Sequence, residues 1–140
     1  MLPDERTVGP AEHPVRVEED LLAARHAVRA AAVAAGFSIV DQTKIVTAAS
    51  ELVRNAYIHG GGGTMTVSVE RDPAGRTGIR LQARDEGPGI ADVEQAMTDG
   101  FSTGAGLGHG LGGTCRLVHE FDLETAPGRG TTVTVARWQP

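Results

Sequence analysis

Residues 45–70 read IVTAASELVRNAYIHGGGGTMTVSVE, and the spacing of apolar residues changes period within them. Up to His59 the apolar positions return at Ile45, Ala48, Ala49, Leu52 and Ala56. That i, i+3, i+4, i+7 spacing predicts a helix over 39–59, buried along one face. From Met65 the pattern alternates, with Met65, Val67 and Val69 against Thr66, Ser68 and Glu70, as in a half-buried strand. Gly60 to Gly63 separate the two periods. A helix running through a glycine break into a strand is the nucleus of an α+β reading, and the flanking sequence extends it.

Downstream, Ile79, Leu81 and Ala83 alternate with Arg80, Gln82 and Arg84, and Asp72-Pro73-Ala74-Gly75 supplies turn chemistry between this strand and the one before it. The pair is therefore expected to form an antiparallel hairpin. Short helical pieces are expected over 92–97 and 111–119, and closing strands over 120–124 and 131–138. Upstream, Val15 and Val17 suggest a short edge strand, Asp20 can cap a helix carrying Leu21, Leu22, Arg25, Val28 and Val33, and Gly36 is expected to end it. Residues 1–13, with Pro3, Gly9 and Pro10, read as a flexible N-terminal arm, leaving one domain over 14–140. The predicted architecture is α+β in two layers, with helices covering one face of a mixed, mostly antiparallel sheet.

At 140 residues, 40% hydrophobic and 22% charged, the chain has the length and composition of a single folded domain. Thirteen basic against eighteen acidic residues give a net charge of −5, which argues against nucleic acid or anionic lipid as a partner. Lys44 is the sole lysine and follows Thr43, so no GxxxxGK[ST] phosphate loop exists, and the HRD and DFG signatures are also absent. Cys115 is alone, which excludes an intrachain disulfide, and no Cys/His spacing suggests zinc. No apolar run approaches the roughly 18–20 residues of a membrane span, so a cytoplasmic location is expected.

Three segments carry candidate chemistry. On the 39–59 helix, Glu51, Asn55 and His59 fall at i, i+4 and i+8 on one stripe. Such a triplet is also what a solvated polar face shows, but a carboxylate takes protons and a carboxamide oxygen ligates Mg²⁺. Asp85-Glu86-Gly87-Pro88-Gly89-Ile90 sits at a strand end, where Asp85 can accept from the exocyclic amine of adenine and Gly87 and Gly89 let backbone approach a flat base. Gly104-Ala105-Gly106-Leu107-Gly108-His109-Gly110-Leu111 leads into a helix, a setting in which backbone N–H groups cradle phosphates without lysine. The GxGxxG match over 108–113 lacks a preceding strand and reads as accidental.

In order, 51–56, 85–90 and 104–108 resemble the N, G1 and G2 boxes of the GHKL, or Bergerat-fold, ATPases. Within that superfamily the chain is similar to the RsbT-type serine/threonine switch kinases of the stressosome, over residues 14–138. The resemblance implies ATP and Mg²⁺ as cofactors, Asn55 as metal ligand, Glu51 as catalytic base and Asp85 as adenine acceptor. It further implies that Gly87 and Gly89 shape the adenine pocket, that Gly104, Gly106, Leu107, Gly108 and Gly110 belong to the phosphate loop and lid, and that Thr131 supports the adenine side. The implied phosphoryl acceptor is a serine of a STAS-domain protein, and the implied downstream partner a PP2C-type phosphatase. His109 departs from the small residue expected in the G2 segment. An anti-sigma factor kinase that also binds a sigma factor is an alternative. A non-catalytic ATP-binding adaptor that activates a phosphatase by docking is another, although a pure binder has no need of Glu51.

Overall fold

The computed structural model describes residues 8–91, 93, 97 and 110–140. Its elements are β1 (Val8–Val15), α1 (Glu18–Ala34), α2 (Ile39–Ile58), β2 (Gly63–Arg71), β3 (Thr77–Asp85), α3 (Gly110–Cys115), β4 (Glu120–Thr125) and β5 (Thr131–Trp138). The strands form one sheet in the order β1-β2-β3-β5-β4, with every neighbouring pair antiparallel.

Period-2 alternation builds this sheet as the sequence implied. Met65, Val67, Val69, Ile79, Leu81, Val133 and Val135 are buried on one face. Thr66, Gln82 and Thr134 share one row of the opposite face, where Gln82 Nε2 donates to Thr134 Oγ1 at 3.2 Å. Helices α1 and α2 cover the apolar face through Ala24, Val28 and Ala32 on the first and Ile45, Ala49, Leu52 and Val53 on the second. Ala24, Ala32 and Ala49 are fully buried at these contacts, where a small side chain lets the helix backbone approach its neighbours closely.

Four sequence expectations are corrected. The strand at the amino end is longer than expected: residues 8–13, assigned to the arm, pair with β2 in β1, while Val17 lies outside the strand and precedes α1. The prolines that suggested a loop are tolerated because β1 is an edge strand needing donors on one side only, and the register shifts between Val8 and Ala11, around Gly9-Pro10. Asp20 is not the cap of α1; Val17 is, and Asp20 reaches back so that its Oδ2 accepts the N–H groups of Arg16 at 2.9 Å and Val17 at 3.1 Å. Helix α3 ends at Cys115 rather than 119, because the His119 N–H is drawn to the Ala136 carbonyl at 2.8 Å as the chain enters the β4–β5 ladder. No parallel pair joins the antiparallel ones among the described strands.

The start of α2 is fixed by Ser38, whose Oγ accepts the Asp41 N–H at 3.1 Å, after Gly36 turns the chain at φ 84°. Asp41 then receives Arg137 of β5: Nη2 donates to Oδ1 at 2.7 Å, while Nη1 of the same guanidinium donates to the Leu117 carbonyl at 2.9 Å. This bridge ties the far strand, the exit of α3 and the start of α2 together. At 92–97 only Val93 and Met97 are described, and the Met97 N–H donates to the Val93 carbonyl at 2.9 Å, an i to i−4 bond.

Candidate nucleotide-binding site

The end of α2 and the end of β3 meet at Gly60. The Gly60 N–H closes on the Asn55 carbonyl at 3.2 Å, and a Cβ on Gly60 would collide with the Asp85 carboxylate. Gly87 in turn is so close to Gly60 that a Cβ there would stand 2.6 Å from the Gly60 Cα. The absence of side chains at 60 and 87 is thus what lets the helix carrying Glu51 and Asn55 abut the strand that ends in Asp85.

Asp85 is the last residue of β3 and lies opposite Gly63 in β2 and Thr131 in β5. Its Oδ1 accepts the Gly87 N–H at 2.9 Å. Burial pushes its carboxyl above the usual aspartate range, opposed by the backbone N–H groups of Gly87 and Thr131 and by the charge of His59. An acceptor held this way in a partly desolvated corner recognises an N–H donor such as an adenine amine.

The loop after Asp85 is tied to the β4–β5 turn. The Thr125 hydroxyl accepts the Ile90 N–H at 2.9 Å and donates to the Gly130 carbonyl at 3.1 Å, so in its 2.9 Å bond with Thr131 the Thr131 hydroxyl is the donor. The Gly128 N–H reaches the Pro88 carbonyl at 2.7 Å. Gly89, at φ 78°, passes so near the Ala126 carbonyl that no side chain would fit. Thr131 thus lies opposite Asp85 in the β3–β5 ladder, and Gly89 packs against the β4–β5 turn. Thr125 was not anticipated, because a threonine within an alternating strand carries no signal until its cross-strand partner, Thr131, is known. The glycine run 60–63 was read only as a helix stop.

On α2, Glu51 and Asn55 are half-buried and one turn apart. The Asn55 Nδ2 is buried and has no hydrogen-bond partner among the described residues. Such an orphaned carboxamide is what a ligand at this corner would satisfy. Among the described residues no three His, Cys, Asp or Glu side chains gather to hold a metal. A Mg²⁺ here fits the usual manner of that ion, one protein oxygen ligand supplemented by phosphate oxygens and water, with Asn55 turned to present its Oδ1. Of the predicted phosphate loop, Gly104, Gly106, Leu107 and Gly108 lie outside the described residues, as does His109, whereas Gly110 begins α3 and the adjoining Leu111 is buried in the core.

Residues 40–139 match the family of histidine kinase-, DNA gyrase B- and HSP90-like ATPases. The chain belongs to that family. Within these ATPases it groups with the RsbT-type serine/threonine kinases: it is 44% identical over 124 residues to the serine/threonine-protein kinase RsbT of Bacillus subtilis strain 168, covering 89% of this chain and 92% of that one. It is also 32% identical over 120 residues to the anti-sigma F factor of Thermoanaerobacter sp. strain X514, covering 82% of each. The fold recurs in the crystal structure of the RsbU and RsbW domains of a Mycobacterium tuberculosis protein, with a TM-score of 0.64 at 22% identity over 95% of this chain and 34% of that one. It recurs again in the SiaB–SiaC complex of Pseudomonas aeruginosa, with a TM-score of 0.52 at 16% identity, covering 96% of this chain and 92% of that one. The end of the helix that carries 51–56 and the start of the 85–90 segment meet at Gly60. Among the described residues no helix is long and apolar enough to cross a membrane.

Proposed function

We propose that the chain transfers the γ-phosphoryl group of Mg-ATP to a serine of a STAS-domain protein and, once released from that protein, regulates a PP2C-type phosphatase in a cytoplasmic stress-response partner-switching circuit such as the stressosome. The observation that carries this reading is the corner at Gly60, where the Asp85 carboxylate and the helix bearing Asn55 and Glu51 are pressed together.

In this reading Asp85 accepts the adenine amine while the Gly87–Ile90 loop, held by Thr125, forms the wall of the base site. Asn55 holds the metal, which when bound neutralises phosphate charge. Glu51, one turn away and without a hydrogen-bond or ion-pair partner among the described residues, takes the proton of the incoming serine hydroxyl. The serine oxygen forms the new bond to the γ-phosphorus, the bond from that phosphorus to the β–γ bridging oxygen breaks, and ADP leaves.

The test is incubation with γ-labelled ATP, Mg²⁺ and STAS-domain proteins of the source genome, followed by mapping of the labelled residue. Label on one serine of a STAS protein is expected; ATP binding with no transfer to any of them would favour the adaptor. The similarity to anti-sigma F factors supports a second reading, a kinase that also binds a sigma factor, and co-purification with a sigma factor distinguishes it.

A further inference from the structure

Helices α1 and α2 do not close completely over one another. A groove of about 300 Å³ opens between them, lined by Glu18, Leu21 and Arg25 of α1 and by Val53, Arg54 and Tyr57 of α2, and neither Asn55 nor Asp85 lines it. Its apolar character continues outward through Ile58, 48% exposed, and at the start of α1 Val17 and Leu22 are each 52% exposed. Large apolar side chains this open, beside a groove, are the usual sign of a surface that binds protein.

The cations of the groove are the second observation. Arg76, Arg80 and Arg137 each meet a carboxylate within 3.3 Å. Among the described residues neither Arg25 nor Arg54 takes part in an ion pair or a hydrogen bond. Two guanidiniums without a carboxylate partner among the described residues, in a chain whose net charge is −5, make this groove a locally basic seat with an apolar floor. Glu18, Glu19 and Asp20 occupy the first turn of α1, so the seat is polar in direction, repelling carboxylates at the Glu18 end and attracting them at Arg25 and Arg54.

Its position is the third. Arg54 and Ser50 line the groove, and Glu51 lies between them on the same 20-residue helix. Whatever occupies the groove is thereby placed by a rigid element that also carries the proposed base.

We propose that the α1–α2 groove is the docking site of the protein that receives the phosphoryl group, and that it takes an acidic amphipathic helix of that protein. An apolar side chain enters between Leu21, Val53 and Tyr57, and carboxylates one turn along the same helix face meet Arg25 and Arg54. The inference rests on the kinase reading above and names the surface and the chemistry by which the protein substrate is recognised. Holding that helix against α2 converts an encounter of two proteins into a fixed approach of one hydroxyl toward Glu51.

The experiment measures transfer of label from ATP to a purified STAS-domain protein by wild type, Arg25→Glu, Arg54→Glu and Arg54→Lys, with Mg-ATP affinity and thermal unfolding measured on each. The two charge reversals are expected to raise the KM for the protein substrate roughly tenfold or more, as loss of an interfacial charge pair does. For Arg25→Glu, kcat at saturating substrate and ATP affinity stay within about twofold of wild type, the pattern of an interaction that binds without changing the chemical step. Arg54→Lys keeps the charge and retains most of the affinity. An unchanged KM in both reversals, with wild type active, overturns the groove alone. A wild type that binds ATP and labels no STAS protein overturns the kinase reading, and the groove as a substrate seat falls with it.

Discussion

The Asp85 carboxylate accepts the N–H of Gly87, two residues further on, at 2.9 Å. One oxygen is thus committed to shaping the turn that carries Gly87 and Gly89, and the Thr131 N–H also bears on the carboxylate. The same carboxylate is pushed above the ordinary aspartate range by burial. An acid whose folded-state pKa is raised contributes stability below its unfolded value and loses that contribution as pH rises through the folded value. At neutral pH the ionised Asp85 is therefore a cost to stability.

Asp85→Asn follows from this directly. The amide keeps an oxygen for the Gly87 N–H and sheds the buried charge, so unfolding at pH 7 without nucleotide is expected at an equal or higher denaturant midpoint than wild type. The advantage of the variant should shrink as pH falls toward the carboxylate range. Calorimetric titration should show weakened ATP binding, since an NH₂ group now competes where an acceptor is needed. Unchanged ATP affinity would remove Asp85 from the site.

Thr125→Val tests the tie between the Asp85 loop and the β4–β5 turn. It leaves the Ile90 N–H and the Gly130 carbonyl without the hydroxyl that joins them. Stranding such groups costs about 1–3 kcal/mol. The cost should appear as weaker nucleotide binding and faster amide exchange at Ile90, with the α1–α2 side of the molecule unaffected. Wild-type nucleotide affinity in this variant would show that the wall of the base site does not depend on Thr125.

The Asp41–Arg137 bridge predicts an acid-sensitive element of stability. The Arg137 guanidinium holds the Asp41 carboxyl below its ordinary value, so its stabilisation is present above the unfolded pKa and is lost as pH falls through the folded one. Both side chains are largely covered, at 13% and 14% exposure. Asp41→Asn is expected to lower the unfolding free energy by about 1.5–3 kcal/mol at pH 7, the range for hydrogen bonds to charged groups. The difference from wild type should narrow in urea titrations below pH 4. A difference independent of pH would mean that packing, not charge, accounts for the loss.

The parts of the fold legible in the sequence are those set by periodicity. Residues 45–70 gave α2, the glycine break and β2, and the Asp72–Gly75 turn gave the hairpin, since buried faces leave a regular trace. Edge strand β1 was cut short because Pro10 and Pro14 are penalised only where both sides of a strand are paired, and pairing is not local information. The extent of α3 was misjudged for a similar reason: the Ala136 carbonyl that claims His119 is seventeen residues away. In the candidate site, Glu51, Asn55 and Asp85 stood out by residue type and box order. What brings them together is the side-chain-free contact at Gly60, and glycine is silent about what it touches until the chain is folded.

Whether Glu51 acts on the acceptor hydroxyl while Asn55 and Asp85 hold Mg-ATP is decided by Glu51→Gln beside wild type, with Mg-ATP affinity and phosphorylation of a STAS-domain protein measured on the same preparations. Glutamine keeps the shape of the side chain and loses the base. Mg-ATP affinity is expected to be unchanged and the rate of transfer lower by roughly 10²–10⁴, the usual contribution of a general base. Transfer at the wild-type rate by Glu51→Gln would contradict that role.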